Sequence, residues 1–169
     1  QGGNARAVTL AVFGNRDFDD ALLELNDAAA AAGFKVIASA APIAEHSMVR
    51  SIGAGRPDAQ DQKELTAFAG QVLAKLEKGD DSTPKVPGNR PYKESENKPW
   101  APVVSEACIK CGRCAAECPV GAIPADAPNT TDANRCIHCM RCTVVCPENA
   151  RSLAAPMTQM LTGFLGKVA

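Results

Sequence analysis

The chain reads CIKCGRCAAECP from Cys108 to Pro119 and CIHCMRCTVVCP from Cys136 to Pro147, so C-x-x-C-x-x-C-x-x-x-C-P is written twice. These two runs hold all eight cysteines of the 169 residues. The halves agree beyond cysteine. Cys108-Ile109 matches Cys136-Ile137 and Arg113-Cys114 matches Arg141-Cys142, each at an offset of 28 residues. Thiolates are therefore concentrated in one region, and the internal repeat implies a pseudo-twofold unit.

A tight turn with cysteines at every third residue points three sulfurs at one object, and a fourth must come from elsewhere. The spacing resembles that of bacterial two-cluster ferredoxins, in which the cysteine before proline ligates the other cluster. That resemblance assigns Cys108, Cys111, Cys114 and Cys146 to one 4Fe-4S cluster, and Cys136, Cys139, Cys142 and Cys118 to a second. Pro119 and Pro147 fit the exits of the two turns, because their fixed φ redirects the chain. So short a segment cannot build an ordinary core. Ile109, Ile137, Val120 and Ile123 are expected as the small apolar packing between the clusters, and folding is expected to depend on metal. Lys110, Arg113 and Arg141 are candidates for adjusting potential and steering an acidic partner. His138 lies inside the second motif. With four cysteines for each cluster, it is expected at the surface, where it tunes potential or touches a partner.

Two other uses of eight cysteines compete. Four disulfides would crowd adjacent C-x-x-C turns, and the first residues do not resemble a secretory signal. A structural zinc site pairs one C-x-x-C with a distant second pair or with histidines, unlike three successive cysteines closed by C-P. Unpaired thiolates at this density point to a reducing, cytoplasmic setting, in an organism that avoids oxygen.

Eighteen basic residues against nineteen acidic ones leave a formal charge of −1, which gives no electrostatic case for nucleic acid or an anionic membrane. No apolar stretch approaches the roughly 20 residues that span a bilayer. Moving toward the N-terminus, residues 79–105 carry five prolines and little periodicity, and are expected as an extended strap with Tyr92 and Trp100 as its anchors. Residues 1–78 read as βαβα. AVTLAVF (Ala7 to Phe13) has the look of a strand buried on both faces of a parallel sheet. A helix follows, with Asp17 or Asp19 capping it, Leu22, Leu25, Ala29 and Ala32 on its apolar face and Gly33 as its stop. KVIASAAPI (Lys35 to Ile43) is a second buried strand. Asp58 after Pro57 starts another helix, with Leu65, Phe68, Ala69, Val72, Leu73 and Leu76 as its stripe, ending near Gly79.

Residues 106–155 form the two-motif domain. In 156–169, Met157, Met160, Leu161, Phe164, Leu165 and Val168 share one side of a helix whose only charge is Lys167, suited to covering the two-motif domain or the sheet. Two strands and two helices leave the first domain incomplete. The expectation is that its first half precedes Gln1, which is not a Met.

Four further stretches extend the resemblance. VFGNRDFDDALLEL (Val12 to Leu25), AAPIAEHS (Ala40 to Ser47), GRPDAQD (Gly55 to Asp61) and PGNRPYKE (Pro87 to Glu94), with both cysteine motifs, are similar to bacterial and archaeal proteins in which a flavodoxin-like domain precedes a two-cluster ferredoxin domain. The resemblance implies an FMN in the complete flavodoxin-like domain. Gly14, Asn15, Arg16, Asp17 and Phe18 look like the loop bordering the isoalloxazine ring, with Phe18 offering a stacking face. An ordinary strand-to-helix turn with Phe18 as a hydrophobic staple reads the same residues equally well. The family's phosphate-gripping loop has no counterpart in this sequence. Glu45, His46, Ser47 and Arg56 match the family without a chemistry that spacing defines.

The leading expectation is an electron carrier serving redox partner proteins or an upstream flavin, rather than an enzyme by itself. The alternative is a flavin-dependent reductase fed single electrons by the clusters. A structural zinc module is the third class.

Overall fold

In the computed structural model, which describes residues 2–94 and 99–165, strand β1 (Arg6–Leu10) runs parallel to β2 (Lys35–Ala40). Helix α1 (Ala21–Ala31) connects them. Both strands stop short of their apolar runs. Pro42 brings no N–H to the ladder, and beyond Leu10 and Ala40 the pairing survives as one parallel bridge between Phe13 and Ile43.

The core of this part is Leu22 and Leu23 of α1 against Val36, Ile37 and Ala38 of β2. Inside it, the Thr9 hydroxyl donates to Asn26 Oδ1 at 2.6 Å and Asn26 Nδ2 donates to Ser39 Oγ at 3.0 Å, so these buried polar groups satisfy each other. The expectation that β1 is buried on both faces is met on one. Thr9 is 6% exposed, whereas Val8, Leu10 and Val12, alternating onto the other face, are 43%, 48% and 66% exposed.

Helix α1 also departs in detail. Its N-cap is Asp20, not Asp17 or Asp19, and the Asp20 side chain makes no cap bond because it serves the strap. Asp17 instead accepts from the Asp19 N–H at 3.0 Å. Leu25 is exposed, and the buried line is Leu22, Leu23 and Asn26. Gly33 supplies the expected left-handed stop at φ +87°.

Helix α2 (Ala59–Glu77) starts where the sequence places it. Asp58 accepts from the N–H groups of Gln60 and Asp61, while Asp61 accepts from Asp58 N at 2.7 Å, a reciprocal capping box. Arg56 grips the Asp61 carboxylate through Nε and Nη2, which together with the Asp58 N–H holds Asp61 down at about 2. The apolar stripe of α2 is poorly covered. Phe68, Val72 and Leu76 are half-buried, and Leu65 and Leu73 are exposed.

Residues 2–46 and 50–94 form one unit, and 47–49 with 99–165 form another. The Pro-rich segment divides between them. Its first part lies across α1, with Gly88 so close that a Cβ there would stand 2.8 Å from Leu23 Cβ. Its last part contains strand β3 (Val103–Val104), where the sequence suggests no strand. The reason is a partner 48 residues away, since β3 pairs antiparallel with β4 (Arg151–Ser152) beyond the second cysteine motif.

Between these strands lie two single-turn helices, α3 (Arg113–Ala116) and α4 (Arg141–Val144). After β4 comes helix α5 (Ala155–Leu165). Its inward line is Met157, Leu161 and Leu165, while Met160 and Phe164 are exposed rather than sharing that face. Lys167 and Val168 lie outside the described residues.

Candidate metal centre

The repeat in sequence is a repeat in backbone. Lys110 and His138 have φ of +56° and +58°, Gly112 and Met140 have +78° and +58°, and Gly121 and Asn149 have +60° and +48°. Each pair is separated by 28 positions. The left-handed residues before α3 and α4 fold each C-x-x-C-x-x-C back on itself, so its sulfurs can converge.

Two hollows result, of about 330 Å³ and about 350 Å³ counting the space open to solvent. Cys108, Cys111, Cys114 and Cys146 line the first. Cys118, Cys136, Cys139 and Cys142 line the second. Each hollow thus has three thiols from one motif and the C-P cysteine of the other. All eight cysteines are free thiols. Among the described residues no three His, Cys, Asp or Glu side chains converge on a point that would hold a single metal ion. The thiols ring a space, and a polynuclear group fits that donor set better than a lone ion does.

The C-P cysteines are held alike. Ala122 N donates to Cys118 Sγ at 3.2 Å, and Ala150 N donates to Cys146 Sγ at 3.3 Å. Burial works to raise the Cys118 thiol, but the N–H groups of Val120, Ala122, Ile123 and Gly121 outweigh it and hold the thiol below its ordinary value. At Cys142 burial wins and the thiol is pushed up, against the pull of Arg151.

Ile109 and Ile137 do not form packing between the two sites. They are 63% and 54% exposed and line the two hollows, because each follows the first cysteine of its turn. The buried apolar residues are Ala122, Ile123, Met140, Val145 and Ala150. Lys110, Arg113 and Arg141 are exposed, and Arg141 is spent on Glu117 at 2.8 Å.

His138 is not a free surface residue. Its ring stacks on Trp100 with centroids 4.0 Å apart and 9° between planes, and its Nε2–H donates to the Trp100 carbonyl at 3.0 Å. This ties the end of the Pro-rich segment to the second cysteine turn. Tyr92 is the anchor of the other end, its hydroxyl donating to Asp27 at 2.5 Å.

One residue in the site escaped sequence reading. Arg151 is 3% exposed, lines the first hollow, and has an Nε without a hydrogen-bond partner. A buried N–H without a partner, on a residue that lines a ring of thiols, fits a sulfur-rich acceptor. The signal was available in the repeat, since the 28-residue offset pairs Arg151 with Ile123.

The Gly14–Phe18 turn has partners within its own unit. A Cβ on Gly14 would meet His46 Cδ2 at 2.7 Å, so glycine here admits His46. Arg16 pairs with Asp19 at 3.1 Å, Asp17 accepts from Asp19, and Phe18 packs edge-on against Phe13 at 5.3 Å. Asn15 adopts φ +59°. Glu45 pairs with Arg50, and burial lowers the pKa of His46.

Comparison with known proteins supplies a match for one part of the chain. Residues 107–150 match the family described as 4Fe-4S dicluster domain. No curated protein and no solved structure matches the chain. The protein therefore combines a short two-stranded parallel sheet with a ferredoxin-like 4Fe-4S segment, and such a segment suggests electron transfer. Among the described residues, no helix is long and apolar enough to cross a membrane.

Proposed function

We propose that the 4Fe-4S dicluster segment makes this protein a one-electron carrier between redox partner proteins, with one cluster on Cys108, Cys111, Cys114 and Cys146 and the other on Cys136, Cys139, Cys142 and Cys118. The carrying observation is the exchange of the C-P cysteines, which gives each hollow four thiols. Each cluster, when bound, supplies a site that gains or loses one electron. The chain's own residues do the rest. Eight thiolates bind, and the Ala122 and Ala150 N–H groups disperse charge on Cys118 and Cys146, which favours the reduced state. Ile109 and Ile137 wall the hollows against water. Cys114 and Cys142 stand on α3 and α4, which pack against each other and so keep the two sites close.

The flavodoxin-like reading of residues 1–78 draws support from the parallel β1-α1-β2 unit and from the Gly14–Phe18 turn at the carboxyl end of β1, where such sheets take ligands. The carrier needs no flavin, and a reducing cytoplasm suits its free thiols.

Anaerobic purification of the full-length protein, with iron, sulfide, zinc and flavin analysis, tests the proposal. About eight irons and eight sulfides per chain are expected, and Cys146→Ser should cut iron to about half. Two zincs without sulfide would end the carrier reading. Bound FMN together with turnover of a small molecule would replace it by a flavin-dependent reductase.

A further inference from the structure

The two halves of the cysteine domain differ most at one buried position. In C-P-V-G-A-I, Cys118 is followed five residues later by Ile123, which is 5% exposed and lines the second hollow. In C-P-E-N-A-R, Cys146 is followed at the same interval by Arg151, which is 3% exposed and lines the first. At this position the second hollow has a buried aliphatic side chain and the first a buried guanidinium.

The guanidinium is fixed rigidly. Nη1 donates to Thr131 Oγ1 at 2.8 Å, and Nη2 donates to the carbonyls of Pro128 at 2.5 Å and Thr130 at 3.0 Å. These partners are neutral oxygens, and Nε has none. A buried cation without a counter-charge is costly, and so is a buried donor without an acceptor. A cluster with four thiolates is a net anion with sulfur acceptors, and its presence in the first hollow answers both needs. The other charges bordering this hollow, Lys110 and Glu148, are of opposite sign, exposed and screened by water.

Resting on the carrier reading above, we infer that Arg151 makes the cluster of Cys108, Cys111, Cys114 and Cys146 the higher-potential one of the pair, through its buried charge and an Nε–H···S hydrogen bond. Reduction adds one electron from a one-electron donor to the cluster, makes it more negative, and neither forms nor breaks a bond to Arg151. A fixed cation stabilises the more negative state, and the low local dielectric strengthens that effect. Ile123 brings no charge to the second cluster, and the guanidinium that lines that hollow, Arg141, is exposed and already paired with Glu117. The first electron to enter therefore rests on the first cluster, and the second cluster is the stronger reductant toward an acceptor. Arg151 is a positioning and tuning residue, and it donates or accepts no electron itself.

The test uses the full chain with both clusters loaded, titrated potentiometrically with dithionite and followed by EPR. The wild type should show two separated one-electron steps. In Arg151→Met the upper step should fall further than the lower one, which feels the Arg151 charge through Cys142 alone, and Arg151→Lys should keep most of the upper step by keeping the charge. Arginine labelled with nitrogen-15 at Nε gives a second readout that needs no substitution. Its coupling should appear in the half-reduced wild-type sample and vanish in Arg151→Lys. Steps unmoved in the Met variant, equal shifts of both, or a coupling that appears only after the second electron would each overturn the inference. If the Met variant does not load its clusters, the labelled wild type and the Lys variant decide alone. A protein that binds no iron-sulfur cluster fails the carrier reading, whereas loaded clusters with unmoved potentials fail only Arg151.

Discussion

Asp20 and Asp27, two turns apart on one side of α1, hold the Pro-rich segment in place. Asp20 accepts from the backbone N–H groups of Lys93 and Asn89, both at 2.7 Å. Asp27 accepts two bonds from Arg90 and one from the Tyr92 hydroxyl. The Lys93 and Asn89 amides hold the Asp20 carboxyl below its ordinary range, and Arg90 and then Tyr92 do the same for Asp27. A depressed carboxyl contributes stability above the unfolded pKa and loses it as pH falls through the folded one. The attachment should therefore persist above the ordinary aspartate value of about 3.9 and release below it. NMR titration of the Asn89 and Lys93 amides should show them moving together with an apparent pKa under that value, and a midpoint at or above it would mean the carboxylates are not held. Tyr92 was legible as an anchor from its type and setting. Its receptor, Asp27, was not, because it lies 65 residues away and nothing local marks it.

At the scale of elements, β1 and α2 share a property. Both have apolar residues that the described structure leaves uncovered, Val8 and Leu10 on the strand with Val12 just past its end, and Leu73 on the helix. Their stability has to come from what is covered and capped. Replacing Asp58 by Ala removes half of the capping box and should cost about 1 kcal/mol. Ile37→Ala, at a side chain 2% exposed in β2, should cost about 2–5 kcal/mol. Val12→Ser, at 66% exposure, should stay within about 0.5 kcal/mol. Denaturant unfolding followed by far-UV circular dichroism checks the order. A large loss at Val12 would show that its face is covered in solution. The start of α2 was legible because Asp58 and Asp61 act within one turn of chain. The buried face of α1 was not, since spacing admits Leu25 or Leu23 and only the position of β2 chooses Leu23.

In the whole molecule, the cysteine unit stands apart for its scant interior. Its large buried apolar side chains are few, Ile123, Met140, Val145, Val49 and Leu165, too few to hold a fold of two-residue strands and single-turn helices. Iron removal by an anaerobic chelator should therefore unfold it, with the Trp100 emission rising and the Trp100–His138 stack lost. The single Tyr and single Trp lie in different units, so Tyr92 and the helical signal of α1 and α2 should be little changed. A Trp100 environment that survives chelation would refute metal-dependent folding. The sequence by itself determined the doubled cysteine turn, the αβ order of the first unit and the start of α2, because these follow from spacing, period and caps acting within a few residues. Only the tertiary structure decided that β3 finds β4, that Trp100 stacks on His138, and that Arg151 is buried where its repeat partner is Ile123. Those outcomes depend on segments that chain reversal brings together from far apart, and no local pattern encodes the meeting.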